Sequence, residues 1–318
     1  MRRLVALCSL LGLLLGGCAM QPLNLHRGSG PVLYSFTDAT GVRLEFWQKP
    51  RRIVSLNISV DEILLDVVPA ERIAALTYLA DDETLCSAAG KAKCVAGRVH
   101  GNNVEAILAL CPDLVIVSDF SGHDYIKALR EYGLKVAVLK APDSYREVMQ
   151  YIQGVAAAAG EAETGGRMTR ELQHRVEYYR NRAVSAYGEQ GLRSMLAIST
   201  MGVMGQRGTF SDLCYFAGVR NVLEGFDVPY GLTLSDEKVV SLNPDVLLLP
   251  SWDYNKSADL DEFRQKIVTN PAYRNLKAVR EGRVYRMHDQ YLYSTSQYTV
   301  KAVEELFSLV YPELAAGG

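Results

Sequence analysis

Short apolar runs alternate with segments of helical periodicity along most of the chain. The apolar runs have the length of buried strands, and the segments between them place apolar residues every three or four positions. The strands predicted in this way lie at 52–57, 72–78, 114–117 and 135–139, and then at 194–199, 246–249 and 283–287. Such regular alternation of strand and helix is typical of mostly parallel sheets with helices on both faces.

The stretch from Arg167 to Tyr187 separates the two groups of strands. It contains no Pro and no Gly, and its apolar residues fall on one helical face, at Met168, Leu172, Val176, Tyr179 and Ala183. A helix of about 20 residues is about 30 Å long, which is the width of a small domain. On pattern alone, this helix either connects two lobes or lies within one domain.

We predict an α/β fold in which two mostly parallel-sheet lobes are joined by one long backbone helix. At 318 residues, the chain is long enough to form two cores. The predicted divisions are an N-terminal lobe at 34–160, the connecting helix at 161–190 and a C-terminal lobe at 191–314.

An internal match between the two halves supports the two-lobe interpretation. The segment Glu105–Ser118 aligns without gaps on Glu237–Pro250, and Glu, Leu, Pro and Asp coincide. Each copy has the pattern of a short helix, a Pro-Asp stop and a buried strand. Ligands of open parallel sheets bind beyond the carboxyl ends of the strands. We therefore expect Phe120 and Trp252, which follow the two strands, either to face a shared cleft or to cover their own sheets.

The first 18 residues have the pattern of a secretory signal. Two arginines precede about a dozen mostly apolar residues, which are too few to span a membrane. Because Leu15-Gly-Gly-Cys18 resembles a bacterial lipobox, we predict a signal peptide at 1–17, a lipidated Cys18 and a flexible tether at 18–33. The alternative is a plain signal peptide. In the lipidated form, the exported protein would be anchored to a membrane in the periplasm or at the cell surface.

Net charge, cysteine content and the absence of catalytic motifs exclude several classes of function. A formal net charge of −2 gives no electrostatic case for nucleic-acid binding. Export implies an oxidising compartment, and Cys86 and Cys94 lie in one polar loop, so they either form a short disulfide or stay free. The chain has no G-x-S-x-G, P-loop or H-E-x-x-H motif, and its histidines are scattered. We therefore expect no catalysis, no bound metal ion and no cofactor.

Three features of the sequence resemble the substrate-binding proteins of ABC importers for ferric siderophores, cobalamin and haem. They are Arg51–Leu64, the two Pro-Asp units and Asn270–Tyr285, and they occur in the order that the family has. The resemblance covers about residues 36–312. It implies two lobes on a backbone helix, with a ligand held between them. It also implies a monomer that delivers its ligand to a permease and its ATPase.

The resemblance also implies that one acidic residue per lobe contacts arginines of the permease. Glu62 matches the position in the first lobe. In the second lobe, Tyr215 stands at the family's acidic position, and Asp212 lies one helical turn earlier. Because residues three apart share a helical face, Asp212 is the candidate substitute.

The loops after the predicted strands are rich in aromatic and polar side chains. The ligand-binding candidates are Tyr78, Phe120, Arg207, Trp252, Tyr254, His288, Tyr291 and Tyr293. Flat apolar faces with phenol hydroxyls suit a large macrocyclic or aromatic chelate. Arg207 and Arg98 are the candidates for fixed positive charge, so a densely anionic siderophore would find few partners.

We therefore predict a receptor for an iron-siderophore or a cobalamin-type metal chelate. Haem, bound through an axial Tyr or His such as Tyr78 or His288, is an alternative ligand within the same family. A sensory lipoprotein that has this fold but no transport role is a further alternative, because the second docking position departs from the family's pattern.

Overall fold

The computed structural model of the protein describes residues 30–101, 103–251 and 259–316. The predicted signal peptide, Cys18, Trp252 and Tyr254 lie outside the described residues. Among the residues that are described, no helix is both long and apolar enough to cross a membrane.

The N-terminal lobe is built on a five-stranded parallel sheet. Its spatial order is β5-β4-β3-β6-β7. The strands are β3 (Ile53–Ser55), β4 (Ile73–Thr77), β5 (Arg98–Val99), β6 (Leu114–Ser118) and β7 (Val136–Leu139). All residues of β3, β6 and β7 are buried. Burial on both faces explains why these strands are continuous apolar runs rather than alternating ones.

Helices cover both faces of this sheet. They are α1 (Ile58–Val67), α2 (Ala89–Ala92), α3 (Val104–Ala109), α4 (His123–Glu131) and α5 (Tyr145–Ala158). Helix α1 begins directly after β3, because the side chain of Asn57 accepts hydrogen bonds from the backbone N–H groups of Ser59 and Val60. In the same way, Ser144 caps α5 by accepting from the N–H of Glu147.

An antiparallel hairpin of β1 (Tyr34–Thr37) and β2 (Arg43–Phe46) precedes the sheet and forms a separate two-stranded sheet. Its turn is fastened to the N-terminal lobe. Asp38 in the turn pairs with Arg130 and accepts from the N–H of Val138, while the N–H of Ala39 donates to the Val138 carbonyl at 2.8 Å.

A 30-residue helix, α6 (Ala162–Gly191), follows the N-terminal lobe. Leu172, Val176 and Ala183 are buried on one face, as their spacing predicts. This face packs against α5 and against α12 (Thr299–Val310) of the C-terminal lobe. The helix therefore contacts both lobes along its length.

The C-terminal lobe repeats the pattern with a sheet in the order β10-β8-β11-β12 and an antiparallel β9 beside β8. The strands are β8 (Ser194–Ser199), β9 (Gly202–Val203), β10 (Arg220–Asn221), β11 (Val246–Leu249) and β12 (Val284–Arg286). The remaining helices are α7 (Thr209–Phe216), α8 (Asp236–Leu242), α9 (Leu260–Thr269), α10 (Lys277–Arg280), α11 (Asp289–Leu292) and α13 (Pro312–Ala315). Both sheets are mostly parallel and one long helix joins them, so the predicted fold class is confirmed.

Candidate functional site

The loops at the carboxyl ends of the two sheets meet each other. Ser59, after β3, has its hydroxyl 2.6 Å from that of Thr295 in the C-terminal lobe. On the other side, the N–H of Tyr145, after β7, donates to Asp212 of α7 at 2.6 Å. The carboxyl edges of the two sheets therefore face each other, and we call the region between them the cleft. Open parallel sheets bind ligands at this edge.

Exposed aromatic rings line the N-terminal side of the cleft. Phe120 directly follows β6 and is 68% exposed. Tyr78 follows β4 and is 49% exposed. Its ring stacks on that of His100, which follows β5, with centroids 5.2 Å apart and planes 13° apart. The stack fixes two flat side chains, and solvent still reaches them.

On the C-terminal side, Met201, Tyr230, Leu232 and Tyr293 form a group of exposed apolar side chains. The loop that carries Tyr230 and Leu232 is tied to β9, since the N–H of Val203 donates to the Leu232 carbonyl at 3.0 Å. Burial of its hydroxyl, together with the neighbouring Tyr230, raises the pKa of Tyr293.

Gly202 makes this close approach of the loop to β9 possible. Its φ of +120° lies in the region that favours glycine, and a Cβ there would meet the Gly231 carbonyl oxygen at 2.5 Å. A larger residue at position 202 would therefore push the loop with Tyr230 away from β9.

The two arginines that the sequence analysis singled out as fixed positive charges differ in their surroundings. The guanidinium of Arg98 is held by Asp81 at 2.6 and 2.9 Å, and it also donates to three backbone carbonyls. The side chain of Arg207 is 84% exposed and lies 3.6 Å from Asp227. Arg98 is thus occupied within its own lobe, whereas Arg207 is a solvated charge.

Two other predicted ligand-binding residues have partners within the C-terminal lobe. The Nδ1 atom of His288 lies 2.7 Å from the Glu305 carboxylate on α12. Tyr291 is partly buried against the main core, and its ring lies 5.6 Å from that of His288. The structure therefore groups Tyr78 with His100, Tyr293 with Tyr230, and His288 with Tyr291.

The structure buries Glu62, the docking acid predicted for the N-terminal lobe. Glu62 is only 3% exposed; it accepts from the Ser87 N–H at 2.7 Å and from the Ser296 hydroxyl of the other lobe. Burial raises the pKa of Glu62 to about 7. The spacing placed Glu62 on a helix correctly, but residues 234 positions away cover that face of the helix.

Asp212 is also occupied by a contact between the lobes. It is half-buried, and its Oδ2 atom accepts from the N–H of Tyr145 at the start of α5. Tyr215, at the family's acidic position, is exposed, and the guanidinium of Arg180 lies 3.9 Å from the centre of its ring. If Asp212 contacts the permease, its carboxylate must do so while it also binds the N–H of Tyr145, or must release that N–H.

The structure contains no disulfide between Cys86 and Cys94, so that alternative is corrected to two free thiols. Cys86 is buried, whereas Cys94 is exposed beyond the short helix α2. Burial, with Glu62 close by, raises the pKa of the Cys86 thiol to about 12. Within the described ranges, no group of three or more His, Cys, Asp or Glu residues is arranged to hold a metal ion.

Sequence reasoning missed three residues of this region. The sequence pattern does not distinguish His100 from the other histidines, although its ring stacks on that of Tyr78. Glu105 and Glu237 occupy equivalent first turns of α3 and α8, and both are exposed. The internal repeat was the signal that could have identified this matched pair of acids.

Comparisons with known proteins agree with this architecture. A sequence model of the periplasmic binding protein family matches residues 53–291. The uncharacterized ABC transporter substrate-binding lipoprotein YvrC of Bacillus subtilis is 21% identical over 282 residues, and the match covers 87% of this chain and 85% of YvrC. A cobalamin-binding protein of Halobacterium salinarum is 24% identical over 291 residues, with coverage of 87% and 74%.

A solved structure shows the same fold. The periplasmic heme-binding protein RhuT of Roseiflexus sp. RS-1 superposes with a TM-score of 0.67 at 23% identity, and the match covers 83% of this chain and 99% of RhuT.

Proposed function

Because the chain belongs to the periplasmic binding protein family, we propose that it is the lipid-anchored substrate-binding component of an ABC importer. The observation that carries the proposal is the pair of exposed aromatic groups, one at the carboxyl edge of each sheet. Phe120 and Tyr78 lie on one side, and Tyr230 and Tyr293 lie on the other. Aromatic rings that stay exposed in the free protein are available to cover a flat ligand.

The proposed ligand is a metal chelate with a large apolar ring surface and little net negative charge. A cobalamin-type corrinoid fits this description best, and an iron-siderophore fits it when the chelate is not densely anionic. Of the two candidate arginines, Arg98 is engaged by Asp81, so Arg207 is the one that can meet an anionic group. The cobalamin-binding relative from Halobacterium salinarum supports the same choice.

Haem is the second candidate, and the Tyr78–His100 stack favours it. A phenolate or an imidazole is a suitable axial ligand for haem iron, and these two rings lie at the carboxyl edge of the N-terminal sheet. His288 is a weaker candidate because its imidazole is bonded to Glu305.

Ligand titration tests the proposal. Full-length protein in detergent would be titrated with cyanocobalamin, hemin and a set of ferric siderophores, with tryptophan fluorescence and absorbance as readouts. Replacing Phe120 by Ala should weaken binding by about tenfold or more, since burying a large apolar side chain contributes about 2 kcal/mol. Tyr132→Ala is the matched control, because Tyr132 is 58% exposed at the far end of α4. Equal affinity of both variants for the bound ligand would contradict the proposed cleft.

We further propose that Glu105 and Glu237 replace Glu62 and Asp212 as the acids that contact the permease. Each opens a helix that leads into a parallel strand, so each lies near the carboxyl edge that borders the cleft. Charge reversal to Lys at either position should reduce stimulation of the importer's ATPase while ligand affinity stays unchanged. Full stimulation by both variants would refute this assignment.

The lipid anchor has a direct test. Replacing Cys18 by Ser should abolish incorporation of labelled palmitate and release the protein from the membrane fraction. Retention of label in the variant would exclude Cys18 as the acylated residue.

A further inference from the structure

A polar contact between the lobes lies beneath the cleft, separate from helix α6. We call it the seam and define it as Glu62 and Asp66 of α1 together with Ser296 and Gln297, which precede α12. Gln297 donates through Nε2 to the Glu62 carbonyl at 2.7 Å and to Asp66 Oδ2 at 2.9 Å. The hydroxyl of Ser296 donates to the Glu62 carboxyl. The seam thus fastens α1 to the C-terminal lobe.

The seam continues along α1 from the edge that borders the cleft, and we therefore call it the floor of the cleft. Helix α1 starts at the carboxyl edge of the N-terminal sheet, where Ser59 meets Thr295. Glu62 and Asp66 lie one and two turns further along the same helix. Any change in the seam therefore alters how the two edges of the cleft are held together.

Several ionisable groups lie near Glu62, both on α1 and on the elements that pack against it. Asp61, its neighbour in the chain, is fully buried and accepts from the Thr77 N–H and hydroxyl within the N-terminal lobe. Lys91 pairs with Asp66, and Arg98 is a second cation, which interacts electrostatically with Asp61 and Cys86. The titratable and charged groups near this part of α1 are Asp61, Asp66, Cys86, Lys91, Arg98, Tyr151 and Tyr298.

The environment of the carboxyl disfavours a negative charge there. Three hydrogen-bond donors, Ser87, Ser296 and Cys86, stabilise the carboxylate, but burial outweighs them and raises the pKa of Glu62 to about 7. An ionised Glu62 adds charge beside Asp61 and Asp66, while Lys91 already neutralises Asp66. Such a charge gains hydration only when water enters the seam.

We infer that Glu62 is a positioning residue that couples the placement of the two lobes to its own protonation. When Glu62 is protonated, the seam holds Ser296 and Gln297 against α1. When Glu62 is ionised, the seam opens and the floor of the cleft loosens. The inference concerns the ligand-free protein and does not depend on which ligand the cleft binds.

Hydrogen–deuterium exchange of the full-length, ligand-free protein tests this inference. Between pH 5.5 and pH 8.5, the ratio of ionised to protonated Glu62 rises from about 1:30 to about 30:1 for a pKa near 7. Peptides that carry α1 and residues 294–299 should lose protection by about tenfold over this range, after correction for the intrinsic exchange rate. Glu62→Gln stays neutral, and its Oε1 can accept from the Ser87 N–H while its Nε2 donates to the Ser296 hydroxyl. Protection in this variant should therefore be the same at both pH values.

Asp61→Asn is the matched control. Asp61 is equally buried and acidic, but its hydrogen bonds lie within the N-terminal lobe. This variant should therefore retain the pH response of residues 294–299. The inference is overturned if the wild-type peptides do not respond to pH, if Glu62→Gln responds like the wild type, or if Asp61→Asn abolishes the response instead.

A second variant keeps the test valid if Glu62→Gln does not fold. Ser296→Ala removes the hydroxyl that donates across the seam but leaves Glu62 intact. Its peptides 294–299 should already exchange faster at pH 5.5, so that little further change occurs by pH 8.5. A pH response of wild-type size in a folded Ser296→Ala protein would contradict the inference.

Discussion

Replacing Tyr311 by Phe tests how the end of the chain is joined to the C-terminal lobe. Tyr311 is fully buried after α12. Its hydroxyl donates to the Gly218 carbonyl at 2.7 Å and accepts from the Arg193 N–H at 3.0 Å. Phe keeps the ring and removes only the hydroxyl, so the change isolates two hydrogen bonds without a large cavity.

The expected loss of stability in Tyr311→Phe depends on how buried each former hydrogen-bond partner of the hydroxyl is. The Gly218 carbonyl is buried, and leaving it without a partner costs about 1–3 kcal/mol. The Arg193 N–H is part-buried and can bind water once the hydroxyl is removed. Losing this hydrogen bond therefore costs less than losing the bond to Gly218. We expect the free energy of unfolding to fall by about 2–3 kcal/mol in total.

Urea unfolding followed by circular dichroism measures this change. With a slope of about 3 kcal/mol per M, the midpoint should fall by about 0.7–1 M. Tyr132→Phe is the control, since Tyr132 is exposed and should change the midpoint by less than about 0.2 M. A Tyr311→Phe midpoint within 0.2 M of the wild type would refute the reasoning.

Two further predictions concern the N-terminal core and the cleft loop. Burial raises the pKa of Asp61 to about 7. Asp61 therefore binds its proton more tightly in the folded state than in the unfolded state. Its contribution to the free energy of unfolding is fully present below about pH 4 and is lost as the pH rises through about 7. The loss is at most about 4 kcal/mol. Asp61→Asn should reduce the difference between the urea midpoints at pH 4.5 and pH 7.5, and Glu62, whose pKa is also raised to about 7, should account for part of the difference that remains. A difference as large as that of the wild type would contradict the burial argument. Gly202→Ala should lower the free energy of unfolding by about 3 kcal/mol through strain at positive φ and a clash with Gly231, whereas Gly90→Ala, with open space around it, should not destabilise the protein. Equal melting temperatures for these two variants would refute the proposed close approach.

The helices and strands could be predicted because each depends mainly on the order of polar and apolar residues within its own segment. Leu172, Val176 and Ala183 are buried on one face of α6, since a single helix period fixes which residues share a face. Phe120 is exposed at the end of β6, as the internal repeat and the rule for parallel sheets indicate. These inferences need only the order of neighbouring residues.

The surroundings of the candidate residues could not be predicted where distant segments meet. Glu62 has the spacing of a helical surface residue, but Ser296 and Gln297 cover it from the other lobe. Asp212 is likewise engaged by the N–H of Tyr145, 67 positions earlier. His100 gains its importance from Tyr78 on the neighbouring strand. Sequence spacing along one element contains no information about such partners.

The hairpin of β1 and β2 decides how the molecule responds to mechanical tension on its N-terminus. Tyr34 and its partner Phe46 lie at the open end of the hairpin, opposite the turn. A force applied at residue 34 therefore loads the paired residues one after another, as in a zipper, rather than all at once in shear. Both strands also contact the N-terminal lobe, because the Tyr34 hydroxyl donates to the Ala158 carbonyl at 2.9 Å and Lys135 Nζ donates to the Glu45 carbonyl at 2.7 Å. A pull on the chain that precedes residue 34 therefore first loads the contact between Tyr34 and the end of α5, and it reaches the turn, where Asp38 pairs with Arg130, last.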